Sequence, residues 1–383
     1  MESNSEYQRL DDDLVSAIRK RIGQPTSKSY PHPHVTVASL DAIRHWAYGI
    51  GDYNPLYLDD AYAAAGPHGG IIAPPSMGFV FSRGISGGVT GMAGIHGLIS
   101  ETKFTWYRQI RPGDRLSGNS IISDVRERTG KYADRQLELV TEGLLRDGDG
   151  EVVVKVQNCQ RRMERGGGRK ASKYADRAPH VYTDDELEQL WSVAAEETCR
   201  GARTRSFQSV AVGDGIDPIV RGPLTTSDII MFLIGWGGQY IRGHGDWVRW
   251  ARRFRTAAIT NPLNIPQPPE AVHWDDAIAQ QTGVPAAYDY GPQRFSWLST
   301  ALTNWMGDAG ALRSLSVQFR RHVFVGEAIW IRGQVAATRI EDGAGLVTVM
   351  LEAKNQSDEL VATGEGEIQL PLDLDTNGSE SAR

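Results

Sequence analysis

The chain has 383 residues, 40% of them hydrophobic and 23% charged, with a formal net charge of −6; at more than twice the usual domain size it implies two domains or one duplicated domain. So mild a charge, with no long basic block, argues against a nucleic-acid partner, and no apolar run approaches the length of a membrane span. The polar, acidic start MESNSEYQRLDDDL lacks an export core, and Cys159 and Cys199 have no metal-ligand spacing, so the expectation is a cytoplasmic protein with no membrane association, disulfide framework or metal.

Residues 1–34 read as an N-terminal docking arm, with Leu14, Ile18 and Ile22 at helical spacing before Gly23 and Pro25 break the pattern. The helical set Ala42, Trp46 and Ile50 must end near Pro55, which fixes its own φ and pushes Asn54 out of the helical region. Asp52 therefore sits on a loop. Asp59 is placed to cap a short helix Asp60–Ala65 that Gly66 terminates. Pro75 opens a helix through Met77, Phe79, Val80 and Phe81, and a Gly-rich connection from Gly84 to Gly97 follows. Lys103–Ile110, Leu116–Ser123, Gln136–Leu145 and Glu151–Arg162 then alternate as strands, separated by turn chemistry at Arg111–Asp114 and Asp147–Gly150.

The Gly-rich, basic stretch Glu164–Ser172 reads as a linker, placed within a connecting region 164–207. Beyond it the pattern starts again. Thr225 and Thr226 are placed to start a capped helix that continues through Ser227–Ile234, after Val212-Gly213-Asp214. An insertion occupies about 239–270, and strand patterns recur at 346–354 and 359–369. One shift lays Ala271 on Pro55, His273 on Tyr57 and Asp275 on Asp59; a neighbouring shift lays Gly326-Glu327 on Gly113-Asp114. The chain thus reads as a diverged internal duplication of units at 35–163 and 208–371, followed by a polar, disordered tail at 372–383.

The run Gly51-Asp52-Tyr53-Asn54-Pro55-Leu56-Tyr57-Leu58-Asp59, followed by Gly70-Ile71-Ile72-Ala73-Pro74-Pro75-Ser76-Met77, resembles the signature of the MaoC-like, R-specific enoyl-CoA hydratases and dehydratases, in the form found in FAS1-like dehydratase halves. The resemblance implies an α+β double hot dog, two units in one chain, each a central helix wrapped by an antiparallel sheet. It implies reversible hydration of an enoyl thioester, with no cofactor beyond the coenzyme A or carrier pantetheine that belongs to the substrate. It leaves room for a homodimer. In that family the signature ends in Asp and His, which together activate water; here Tyr57 stands at the His position.

Hydration needs a base for water, an acid for the α-carbon and a donor for the thioester oxygen. In the first unit Asp52 is the candidate to orient or deprotonate water, Asn54 to hold the loop and Tyr57 to donate a hydrogen bond. The second unit has His273, but Pro268 stands where its Asp belongs. The resemblance assigns the oxyanion donor to the start of the central helix, hence Ser76 in the first unit and Gly291 in the second. His96 is a candidate to replace the missing imidazole across the cleft, and Arg252 and Arg253 to meet substrate phosphates or a carrier's acidic face. A two-fold pair of units places Asp52 and His273 apart. The alternatives are a catalytically reduced acyl-thioester-binding or partner subunit, motivated by Tyr57 and Pro268, and a hot-dog thioesterase.

Overall fold

A computed structural model describes residues 9–26, 34–82, 92, 95–130, 133–164, 174, 177–238, 243–255 and 257–373. The arm forms α1 (Asp12–Arg19), opened by Asp11, whose carboxylate accepts from the Leu14 N–H. The first unit continues with α2 (Leu40–Ile50), α3 (Pro55–Leu58) and α4 (Asp60–Ala65), capped in turn by Ser39, Asn54 and Asp59. A 3₁₀ turn at Pro75–Met77 leads into α5 (Gly78–Phe81), and four strands follow: β1 (Ile95–Trp106), β2 (Ser117–Gly130), β3 (Ala133–Arg146) and β4 (Val152–Glu164). The connecting helix α6 (Asp184–Ala195) precedes β5 (Gly215–Arg221) and α7 (Thr226–Gly235). The insertion holds α8 (Gly245–Arg253) and a small ribbon of β6 (Ile259–Thr260) with β7 (Pro266–Gln267). After a 3₁₀ turn at Pro269–His273 come α9 (Asp276–Gln281), α10 (Gly291–Met306), β8 (Ala311–Phe319), β9 (Ile329–Glu341), β10 (Ala344–Asn355) and β11 (Leu360–Leu370).

The two units join into one antiparallel sheet of nine strands, ordered β2-β3-β4-β1-β8-β11-β10-β9-β5. The joint is β1 on β8, where Lys103 faces Ser316. The shift that carries Gly113 onto Gly326 also carries Lys103 onto Ser316, so the register itself carries a pseudo-two-fold: in each unit the chain passes from the inner strand to the far strand and meanders back toward it. Local structure repeats as well, since Asp275 caps α9 as Asp59 caps α4. This is a double hot dog.

The units differ in their central helices. Every residue of α10 from Pro292 to Met306 is buried. The sheet makes room for it with glycine, for a Cβ at Gly366 would stand 2.4 Å from the Leu302 side chain. In the first unit the helix stops at Phe81, with Gly78 pressed on the Phe104 ring. The arm adds cover elsewhere on that unit, its Leu10, Val15 and Ile18 forming an apolar cluster with Ile95, Ile122, Val125, Leu137 and Leu139. The units also meet through α2 and α7, which cross so closely that a Cβ on Gly49 or Gly235 would collide with the other helix's backbone.

Two details differ from the sequence expectations. β1 begins at Ile95, inside the stretch expected to be a Gly-rich connection, and ends at Trp106 rather than Ile110. Pairing with β4 decides this, and the Arg162 guanidinium packs against the Cα of Gly97. The remainder of that connection, most of the linker Glu164–Ser172, and residues 374–383 of the tail lie outside the described residues.

Ile18 is 2% exposed within the arm's cluster. Ile18→Ala is expected to lower stability by about 2–4 kcal/mol, the cost of an unfilled core methylene cavity, measured as the shift in chemical denaturation.

Candidate active site at the junction of the two units

The signature loop is built from short-range hydrogen bonds. Gly51 ends α2 in the left-handed region at φ 68°, the Asp52 N–H reaches the Ala47 carbonyl at 2.9 Å, and Asp52 Oδ1 accepts from the Asn54 N–H at 3.1 Å. Asn54 Oδ1 in turn accepts from the Leu56 N–H at 2.9 Å, starting α3. The second Asp52 oxygen crosses to the other unit: Oδ2 accepts from the Thr300 hydroxyl of α10 at 2.9 Å. Arg221 of β5 reaches the Gly51 carbonyl at 3.4 Å and pairs with Glu197 at 3.0 Å; Asn304 of α10 donates to the same Glu197 oxygen at 3.0 Å. Burial raises the Asp52 pKa from the usual carboxylate value, against the lowering pull of the Asn54, Thr300 and Arg221 groups.

Beside this loop lies a cavity of about 290 Å³. Its walls are Asn54, Leu56 and Tyr57 of the loop, the segment from His68 to Pro75, the residues from Trp106 to Arg111, and, from the second unit, the end of α10 with the start of β8. Tyr57 is hydrogen-bonded to Thr303, and burial with the nearby Asp52 charge pushes its pKa well above 10. It is a donor at any physiological pH and no base. His68 Nε2 lies 2.8 Å from the Asp308 carbonyl oxygen and 3.5 Å from Gln109 Nε2. Asp308 Oδ2 accepts from the Tyr62 hydroxyl at 2.7 Å, while its Oδ1 is buried without a hydrogen-bond partner. Burial and Asp308 push the Tyr62 pKa up to about 12. Arg108, Arg111 and Arg313 also line the cavity. Arg108 is held by Asp114 and Asp147, Arg111 bonds the His68 carbonyl at 3.2 Å, and Arg313 is exposed.

Of the residues singled out in the sequence, Asn54 and Tyr57 line the cavity. Asp52 stands behind them, 2% exposed, with both oxygens occupied. Ser76 is fully buried and does not line the cavity, so its N–H is not presented there; its Oγ accepts from Trp46 Nε1 at 3.1 Å. His273 stacks on Tyr290 at 3.7 Å, and its Nδ1 lies 2.8 Å from the Tyr288 carbonyl oxygen. Tyr290 precedes α10 while Thr300 lies ten residues on, about 15 Å by helical rise, which keeps His273 and Asp52 apart. Gly291 belongs to that same N-terminal end, whereas the cavity meets the C-terminal end, so its N–H does not serve this cavity. His96 lies on β1 opposite Met163, ten residues before the cavity-lining Trp106. That is about 30 Å along an extended strand, too far to supply an imidazole to this cavity, and its side chain lies outside the described residues. Arg252 and Arg253 are exposed at the end of α8 and do not line the cavity.

Sequence reasoning missed Thr300, Thr303, His68, Asp308 and the arginines. A signal existed for the first two. Thr300, Thr303 and Asn304 recur at helical spacing among apolar residues, marking one polar face on a buried helix. Among the described residues no group of three or more His, Cys, Asp or Glu is arranged to hold a metal, and no helix is long and apolar enough to cross a membrane.

Residues 26–156 match the family model described as the FAS1-like dehydratase domain region. A UPF0336 protein of Streptomyces griseus is 30% identical over 133 residues, which are 33% of this chain and 85% of that protein. A solved MaoC-like dehydratase superposes with TM-score 0.63 at 18% identity, covering 93% of this chain and 99% of its own. The chain belongs to the family of that UPF0336 protein, and its fold is that of the MaoC-like dehydratases. The 3-oxo-4,17-pregnadiene-20-carboxyl-CoA hydratase alpha subunit of Mycobacterium tuberculosis is 35% identical over 127 residues, covering 29% of this chain and 41% of the relative. The chain thus spans less than half the length of that relative.

The inter-unit hydrogen bond is testable. Thr300→Val leaves a buried carboxylate oxygen unsatisfied and is expected to cost about 1–3 kcal/mol, read by chemical denaturation. Because burial raises the folded-state pKa of Asp52, protonation favours the folded form. The stability of the wild type relative to Asp52→Asn is therefore expected to increase as pH falls from neutrality to about 4, where the unfolded carboxyl titrates. A flat difference across that range would mean that Asp52 carries no burial penalty.

Proposed function

We propose that the chain catalyses reversible hydration of a 2-enoyl thioester to a β-hydroxyacyl thioester, with the acyl group lying in the cavity between the signature loop and the end of α10. The observation that carries this reading is the convergence, on one cavity, of Asn54 and Tyr57 from the loop with Thr303 and Asp308 from the other unit. Tyr57 remains protonated and is the donor for the oxygen on which enolate charge develops. Asp52 works as a positioning residue. With both oxygens occupied, it fixes the loop and hence the Tyr57 ring against α10. Arg111 and Arg313, which have no carboxylate partner among the described residues, stand at the rim, where the phosphates of coenzyme A or a carrier pantetheine need charge-assisted donors.

A second reading is an acyl-thioester-binding subunit that relies on a partner for catalysis. It is supported by Tyr57 and Pro268 at the positions of the family's His and Asp, and by the name of the M. tuberculosis relative as an alpha subunit. One experiment separates them. The purified chain is mixed with crotonyl-CoA and trans-2-octenoyl-CoA, and loss of the conjugated enoyl absorbance is followed beside release of free thiol. Hydration removes the absorbance with no thiol; a binding subunit changes neither alone. Thiol release would point instead to thioester hydrolysis. The Arg111→Ala, Arg313→Ala double variant is expected to raise KM for the CoA ester about tenfold or more, the size of a lost charge-assisted hydrogen bond. KM for the matching N-acetylcysteamine thioester, which has no phosphates, is expected to stay unchanged.

A further inference from the structure

The cavity contains one carboxylate and one imidazole among the described residues, Asp308 and His68, and neither belongs to the family signature. Asp308 follows α10 at the turn into β8. It is 2% exposed, and its position is fixed from three directions. Its N–H donates to the Gly201 carbonyl at 3.0 Å, its main-chain oxygen meets His68 Nε2 at 2.8 Å, and Oδ2 accepts from the Tyr62 hydroxyl at 2.7 Å. Oδ1 alone has no hydrogen-bond partner, although it is buried and its residue lines the cavity. Leaving a buried carboxylate oxygen unsatisfied is costly, and the cost is relieved when a water or hydroxyl occupies the space beside it. Asp52, by contrast, has a hydrogen bond on each oxygen and does not line the cavity.

Resting on the hydratase reading above, we propose that Asp308 is the catalytic carboxylate of this site and that Tyr62 and His68 are its positioning residues. A water in the cavity donates to Oδ1. One of its O–H bonds breaks, the proton passing to Oδ1, as the water oxygen bonds to the β-carbon. The Cα=Cβ π pair moves onto the α-carbon, spread into the thioester carbonyl that faces the Tyr57 hydroxyl. The proton then returns from Asp308 to the α-carbon, restoring the carboxylate; the net change is addition of one water. The site is thereby shared between units, with the donor on the first and the base on the second, and neither unit alone holds the apparatus.

The test compares the wild type with Asp308→Asn, which keeps an oxygen for the Tyr62 hydrogen bond, and with Asp308→Ser should the first not fold. Enoyl hydration, binding of octanoyl-CoA by calorimetry, and thermal unfolding are measured for each. Loss of a general base lowers kcat about 100-fold or more, with octanoyl-CoA binding and melting unchanged. A drop below about tenfold overturns the assignment. So does loss of binding in parallel with activity, and so does failure of both variants to fold, since either makes Asp308 structural. An inactive wild type overturns the hydratase reading and this assignment together, whereas an active wild type with an equally active Asp308→Asn overturns this assignment alone.

Discussion

The seating of α10 against the first unit's loop is the constraint from which the site follows. A helix buried along its length must either be apolar or satisfy every polar group it carries. α10 carries many. Arg294 pairs with Asp289 and reaches the carbonyls of Arg321 and Val361, and Ser296 bonds back to the Pro292 carbonyl at 2.8 Å. The next polar face, Thr300, Thr303 and Asn304, finds its partners outside the helix's own sheet: Asp52, Tyr57 and Glu197. Since each group is costly to leave unmade, the hydrogen bonds specify one rotation of the helix relative to the loop, where apolar packing alone would tolerate several. The cavity is the space that this arrangement leaves at the helix's C-terminal end.

Duplication gives the two units two junctions that are not alike. The two-fold at Lys103 and Ser316 creates two junctions, each between one unit's loop and the other unit's helix. The junction described here joins the first unit's signature loop to the second unit's long helix. Its twin would join the second unit's loop to the first unit's helix, and that helix stops at Phe81. In the second unit's loop Pro268 replaces the carboxylate and His273 is turned toward Tyr288 and Tyr290. The sheet symmetry is kept because strand pairing needs it; the helices and loops are released from symmetry because each packs against a different neighbour.

Much of this architecture is legible in the sequence. The duplication, the loop between α2 and α4, the Asp59 and Asp275 caps, the first unit's meander and the last two strands of the second follow from local chemistry: proline and glycine punctuation, capping residues and the change of period from helix to strand. What is not legible depends on contacts between residues distant in the chain. That Asp52 bonds Thr300 is a matter of how two units dock, and nothing near Asp52 announces it. The same holds for His68, an unremarkable loop histidine until the turn at Asp308 is folded against it. The long polar-faced helix was the one accessible clue, for threonines spaced along a helix with apolar flanks must have partners somewhere.

The placement of the two carboxylates separates what a motif marks from what a site does. Asp52 and Asp308 have the same side chain and nearly the same burial, so burial alone does not distinguish them. Their hydrogen bonds do. A carboxylate that anchors the loop through one oxygen and the other unit through the second, behind the cavity wall, cannot turn to meet a water there without costing the loop its anchor. A carboxylate fixed through one oxygen, with the other buried beside the cavity and without a hydrogen-bond partner, keeps its geometry while it takes and returns a proton. Rigidity and availability are thus combined in Asp308, whereas in Asp52 rigidity consumes availability. The signature loop therefore serves this chain by delivering Tyr57 and Asn54 to a wall of the cavity, and the opposite wall, from the other unit, carries the group that can exchange a proton.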